Sequence, residues 1–349
     1  MFIYAVVIAI TTMLAVMYSH MIKKNKNIAF YFMVIFPTLF AGLRGVATDY
    51  NLYNNNYQEI INGTFELVDY NSLFVIFLRA VGHLGISFQF VILLVSFLTI
   101  FIAFKIFTMC EDVISVPFAV FSYMTMFYQM SFNTYRQILA AEIFLLATIF
   151  LFKKDNKIKF WILFLISVLI HSSLLPFGLV FFFRKLIIEK KYLCIRIIIY
   201  IVALIVIYSL PLLADKIVHL ISILSHYAWF LTRFQYSAIG FGFIRYFVLA
   251  VLSALFIAYK DKYEDIDSKG IGFLPFYLIM GTILWMTSYI STSSLYRIGY
   301  NFLVAIPILH GYLFRKYKLT SRFLLCIGIC LIMLLFWFYD GAILNTGET

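Results

Sequence analysis

The chain has 349 residues, of which 64% are hydrophobic, 20% aromatic and only 12% charged, with a mean hydropathy of +0.98. A soluble domain carries about 25% charged residues, so the composition excludes a water-exposed enzyme, a secreted disulfide scaffold and a disordered protein. The net charge of +11 would suggest nucleic acid in a soluble protein; in a membrane protein it records orientation, because cytoplasmic loops concentrate Lys and Arg.

Crossing about 30 Å of hydrocarbon takes roughly 20 helical residues. Apolar runs of that kind begin at 2–22 and 28–43 and are followed by a long outer loop, 44–70. The segment 71–83 is too short to span, carries Arg79, and reads as an amphipathic helix lying in the interface. Further runs follow at 86–107, 113–131 and 135–152. The stretch 158–183 is broken at its middle by His171-Ser172-Ser173 and Pro176 and is expected to form a hairpin of two short helices. Then come 193–212, a second long outer loop at 213–240, and runs at 241–259, 271–290, 295–314 and 322–339. The runs are continuous rather than alternating, which argues against a β-barrel. The first has neither a preceding basic residue nor a cleavage site and reads as an uncleaved helix. The expectation is an all-α polytopic membrane protein, one domain over 1–349, with about ten to twelve transmembrane helices.

Basic clusters sit at Lys23–Lys26, Lys153–Lys159, Arg184–Arg196 and Arg315–Lys318. Placing all four inside satisfies the positive-inside tendency and puts both termini outside. Making 71–83 and 158–183 single spans would strand Lys153, Lys154, Lys157 and Lys159 outside. Under the preferred topology the basic residues left on the outer side or in the membrane are Arg44, Arg79, Arg136, Lys216, Arg233, Arg245 and Arg297. Nearly all are arginines, although lysine is the commoner residue in the chain. The basic excess is therefore an orientation signal and no evidence for nucleic acid. Topology explains the lysines but not these arginines, whose planar fork suits phosphate and carboxylate.

The outer face holds the candidate chemistry. Arg44 and Asp49 flank a short glycine-containing turn, where an arginine can bind phosphate while the acid positions a sugar hydroxyl; a structural Arg–Asp clamp is the alternative. Tyr50, Tyr53 and Tyr57 recur at three- and four-residue spacing and suit sugar stacking or headgroup anchoring. Arg136 stands at a helix start that Ser131 or Asn133 can cap, a place that favours anions. Glu142 lies six residues deeper, either functional or held by an internal arginine such as Arg136 or Arg245. His171 sits at a helix break beside two serines and can act as a general base or as a donor to a diphosphate. Arg233, Arg245 and Arg297 complete a set that suits one shared anionic ligand. His20 and His310 are expected to contact headgroups or helix C-termini. No P-loop, metal-protease or lipase motif is present, and the four cysteines imply neither a disulfide framework nor a zinc site.

The stretches GLRGVATDYNLY, FNTYRQILAAEI, LIHSSLLPF and LYRIGYN together resemble the EpsG-like branch of the Wzy O-antigen and exopolysaccharide polymerases. Arg44, Thr48-Asp49-Tyr50 and Tyr53 match one pattern of that family, Arg136, Gln137, Leu139 and Ala140 a second, and His171 with Ser173 a third; Ala47 departs from a common Gly. The resemblance implies a glycosyltransferase of the bacterial cytoplasmic (inner) membrane. It would join undecaprenyl-diphosphate-linked oligosaccharide repeat units on the outer side, without cofactor or metal, and with a chain-length regulator as a further partner. Arg136, with Asp49 or His171 as base, would carry catalysis. Arg44, Arg233, Arg245, Arg297, Tyr50, Tyr53 and Gln137 would bind the substrate. The rivals are a lipid-linked oligosaccharide flippase or transporter, which predicts basic groups along a path through the bilayer, a membrane acyltransferase, and an O-antigen ligase that shares the chemistry but not the acceptor.

Overall fold

The computed structural model describes residues 2–44, 50–64, 72–220, 270–285 and 294–316, with isolated positions at 328, 331, 334 and 335. The described residues form helices and no strand. In chain order these are α1 (Phe2–His20), α2 (Lys23–Gly42), α3 (Tyr50–Asn62), α4 (Ser72–His83), α5 (Phe88–Met109), α6 (Val116–Met126), α7 (Met130–Asn133), α8 (Tyr135–Phe152) and α9 (Lys157–Ile170). A 3-10 turn (Ser172–Gly178), α10 (Leu179–Phe182), α11 (Arg184–Ile188) and α12 (Leu193–Leu220) follow. The last described helices are α13 (Leu274–Trp285), α14 (Tyr300–Leu303), preceded by a 3-10 turn (Ser294–Gly299), and α15 (Ile306–Lys316). Among the described residues, α1, α5 and α8 are the helices long and apolar enough to cross a membrane.

The chain divides into two compact units, one of residues 1–147, 158–175 and 306–349, the other of 148–157 and 176–305. In the first, α1, α2, α5, α6 and α15 pack side by side. Their lipid-type surface is plain in α9, where Ile158, Trp161, Ile162, Leu165, Ile166 and Leu169 are exposed at helical spacing while Phe160, Phe164 and Ser167 are buried. Water would not tolerate that stripe on a monomer, whereas acyl chains match it. The part of α8 in this unit is buried on almost every side, from Ile138 to Ala147.

One end of this unit is basic and tied together. Lys26 pairs with Glu111 at 2.8 Å, and the same carboxylate accepts from Tyr18 at 3.0 Å. Arg315 donates to the carbonyls of Glu111 and Ile114. The 20-residue α2 (roughly 30 Å at 1.5 Å per residue) separates Lys23 and Lys26 at this end from Arg44 at the other. Within this unit Lys23, Lys26 and Arg315 thus stand at one end and Arg44 at the other.

In the second unit, α13 packs on α12, on the 3-10 turn before α14 and on α14 itself. Phe152 stacks on Phe273 at 5.2 Å, and Thr148 bonds the Tyr277 hydroxyl at 2.8 Å. Gly270 is left-handed, with φ of 70°, and a Cβ there would lie 2.6 Å from the Cα of Lys153. Only glycine lets the chain pass that close.

Several expectations need correction. The stretch 44–70 is not a plain loop, because residues 50–62 form α3, a polar helix with one apolar face. The runs 113–131 and 295–314 are each interrupted, the first at Phe127–Gln129 and the second where the Ser294–Gly299 turn and α14 precede α15. His310 does not reach headgroups; it is buried, with Nδ1 2.7 Å from the Ser122 hydroxyl. His20 does meet a helix C-terminus, its Nδ1 lying 2.9 Å from the Val16 carbonyl. The break expected near His171 is present, since α9 ends at Ile170 and a 3-10 turn follows.

Candidate functional site

The site is a corner of the first unit where the end of α2, the start of α5, the tyrosine face of α3 and the α7–α8 turn converge. Gly42 closes α2 because a Cβ there would meet the backbone of Leu93 on α5 at 2.7 Å. That close approach brings Gln89, in the first turn of α5, to the Gly42 carbonyl, while its side-chain oxygen accepts from the Tyr50 hydroxyl at 2.8 Å. One glutamine thus joins the end of α2, α5 and the start of α3. Sequence reasoning passed over Gln89; its signal was a lone polar residue at the start of an otherwise apolar run.

Arg44 follows immediately. Its guanidinium donates to the carbonyls of Ala41 and Phe132, the latter at 3.1 Å, and lies 3.9 Å from the centre of the Phe132 ring. Its Nε is buried without a hydrogen-bond partner. Burial lowers its pKa to about 10, so the group stays cationic at neutral pH. Among the described residues no carboxylate balances that charge.

The α3 tyrosines lock this corner from one side. Tyr53 donates to the Asn133 carbonyl at 2.9 Å and sits edge-on to Tyr135 at 4.8 Å. Tyr57, 1% exposed, donates to the Ile86 carbonyl at 2.6 Å. The helical spacing of 50, 53 and 57 places all three against the bundle, so in this structure their hydroxyls anchor α3.

Arg136 is the second residue of α8, half-buried, its guanidinium 5.3 Å from the Phe74 ring of α4. The α8 N-terminus is not capped by Ser131, which donates to the Tyr128 carbonyl at 2.6 Å instead. Gln137 is buried inside the bundle at 5% exposure. Glu142 is wholly buried and, contrary to the alternative of an ion pair with Arg136, neither of its oxygens has a hydrogen-bond partner.

His171 is half-buried at the end of α9, its Nδ1 2.7 Å from the Ser173 hydroxyl. The preceding Ile170 packs on the cluster that contains Tyr135, Leu139 and Tyr57. Arg44, Tyr50, Tyr53 and Arg136 therefore gather at one end of one unit, and His171 follows a residue that packs on the same cluster as Tyr50 and Tyr53. Arg297 belongs to the other unit, in the turn whose Gly299 fits against the Gly281 carbonyl, where a Cβ would stand at 2.8 Å. Asp49, Thr48, Arg233 and Arg245 lie outside the described residues.

A family model described as the EpsG family matches residues 27–347. The chain belongs to the EpsG family. Membership ties it to polysaccharide biosynthesis in a membrane and to a polymerase-like function. The matched stretch includes the whole arginine corner of this EpsG-family chain, from Arg44 through His171. No curated protein and no solved structure matches it.

Proposed function

We propose that this EpsG-family chain is a glycosyltransferase that polymerises lipid-diphosphate-linked oligosaccharide repeat units on the outer side of the bacterial cytoplasmic membrane. The observation that carries this reading is Arg44, a buried-edge cation with no balancing carboxylate among the described residues, held at the same corner as Arg136 on a helix N-terminus. A fixed positive corner of that kind suits a leaving diphosphate, because electrostatic stabilisation acts where charge develops.

In the reaction, the acceptor hydroxyl oxygen bonds to the donor's anomeric carbon. The bond from that carbon to the diphosphate oxygen breaks, and the diphosphate leaves with the electron pair on its lipid. The hydroxyl proton passes to a base, for which His171 or Asp49 serves. In the tautomer that donates Nδ1–H to Ser173, Nε2 is the basic nitrogen of the ring. The donor is already activated, so no nucleotide enters the scheme. The partners in this reading are undecaprenyl-diphosphate-linked oligosaccharide, the surrounding bilayer and a chain-length regulator.

A gene deletion tests it. Loss of long polysaccharide with single repeat units still reaching the final acceptor supports a polymerase. Loss of every unit supports a flippase or a ligase instead.

A further inference from the structure

Glu142 is the most anomalous polar group of the first unit. Its side chain has no exposed surface, and neither carboxyl oxygen has a partner. Tyr123 on α6 is equally buried, its hydroxyl is also without a partner, and Glu142 and Tyr128 are close enough to act on it electrostatically. Gln129, next to Tyr128 and 4% exposed, has both amide atoms unbonded. Other buried polar groups of this core are bonded: Ser122 meets His310 at 2.7 Å and Tyr128 donates to the Pro37 carbonyl at 2.7 Å. Buried polar groups are bonded almost without exception, and a lone carboxylate is the costliest to leave bare.

Among the described residues no cation bonds it, and Arg245 lies outside them. Arg44 interacts with Tyr128, Tyr4 and Tyr50 and binds the carbonyls of Ala41 and Phe132. We propose that Glu142 and Tyr123 form a buried site for one positive charge taken from solution, a proton or a monovalent metal ion. One carboxylate fits a single charge, and a divalent ion would leave a buried excess. The proposal does not depend on the glycosyl-transfer reading.

The test uses the purified full chain in detergent at neutral pH with dicyclohexylcarbodiimide, in sodium chloride and in choline chloride. The acid's oxygen adds to the carbodiimide carbon and its proton goes to nitrogen; rearrangement leaves an N-acylurea on Glu142 that peptide mass reports. Labelling in both salts identifies the charge as a proton. Labelling in choline that sodium suppresses identifies it as a metal ion. No label at Glu142 in either salt overturns the proposal. Glu142→Gln, which needs no counter-charge, is expected to melt no lower than wild type. A melting temperature lower by about 5 °C or more would mark a carboxylate held by a protein cation and would also overturn it.

Discussion

Arg44 and Phe132, 88 residues apart in the chain, meet twice: the guanidinium lies 3.9 Å from the ring centre and donates to the same residue's carbonyl at 3.1 Å. Phe132 stands four residues before Arg136, so this contact sets where the two arginines sit relative to one another. A lysine keeps the charge but loses the planar stack and the fork. Arg44→Lys is expected to lower polymer per inserted protein by about ten- to a hundredfold, from a loss of about 1.5–3 kcal/mol of charge-assisted bonding. Chain-length gels normalised to membrane protein check it, and unchanged polymer would reduce Arg44 to a point charge.

The α3 tyrosines separate anchoring from recognition. Tyr57→Phe removes only the bond to the Ile86 carbonyl and should cost about 1 kcal/mol, a fall of roughly 2–4 °C in melting temperature, with polymer per folded molecule unchanged. Tyr53→Phe removes a comparable bond, to Asn133, three residues before Arg136. If its hydroxyl also meets sugar, polymer falls by more than the stability loss explains. Thermal melts read beside polymer yield distinguish the two roles.

At the break after α9, Ser173 holds the His171 ring through Nδ1. His171→Ala is expected to slow polymerisation about a hundredfold or more, the span of a general base. Ser173→Ala should slow it less, because the ring remains but loses its orientation. Initial rates of chain growth measure both. A wild-type rate in His171→Ala would leave Asp49 as the base.

How far the sequence led depends on the kind of residue. Uninterrupted apolar runs located α5 and α8 within a few residues, because membrane-crossing length leaves little freedom. It did not yield α3, where Tyr50, Tyr53, Tyr57 and Ile60 already showed helical spacing but the polar residues between them read as loop. Nor did it yield the bend at Phe127–Gln129, since no proline or glycine marks it and the bend is set by the packing of Tyr128 and Phe132. Arginine placement was legible as chemistry. Its long-range partner was not: the Phe132 carbonyl and ring come near Arg44 only by tertiary folding, while Asp49, against which it was read, lies outside the described residues.

Orientation is open to a direct check. Glu59 on α3 and Asp155 beyond α8 are both exposed. In a background freed of native cysteines, including the exposed Cys194, Glu59→Cys should react with an impermeant thiol reagent on intact cells, and Asp155→Cys only after lysis. The reverse pattern would invert the proposed topology.

If this chain alone elongates lipid-diphosphate-linked repeats at its arginine corner, the purified protein suffices for the reaction. The direct measurement is to reconstitute the purified protein in liposomes with one polyprenyl-diphosphate-linked repeat unit and to resolve the products by size. The account predicts a ladder from the wild type and none from an equally folded Arg136→Ala. A wild type that leaves the repeat unit unextended, or an Arg136→Ala that builds a normal ladder, would contradict it.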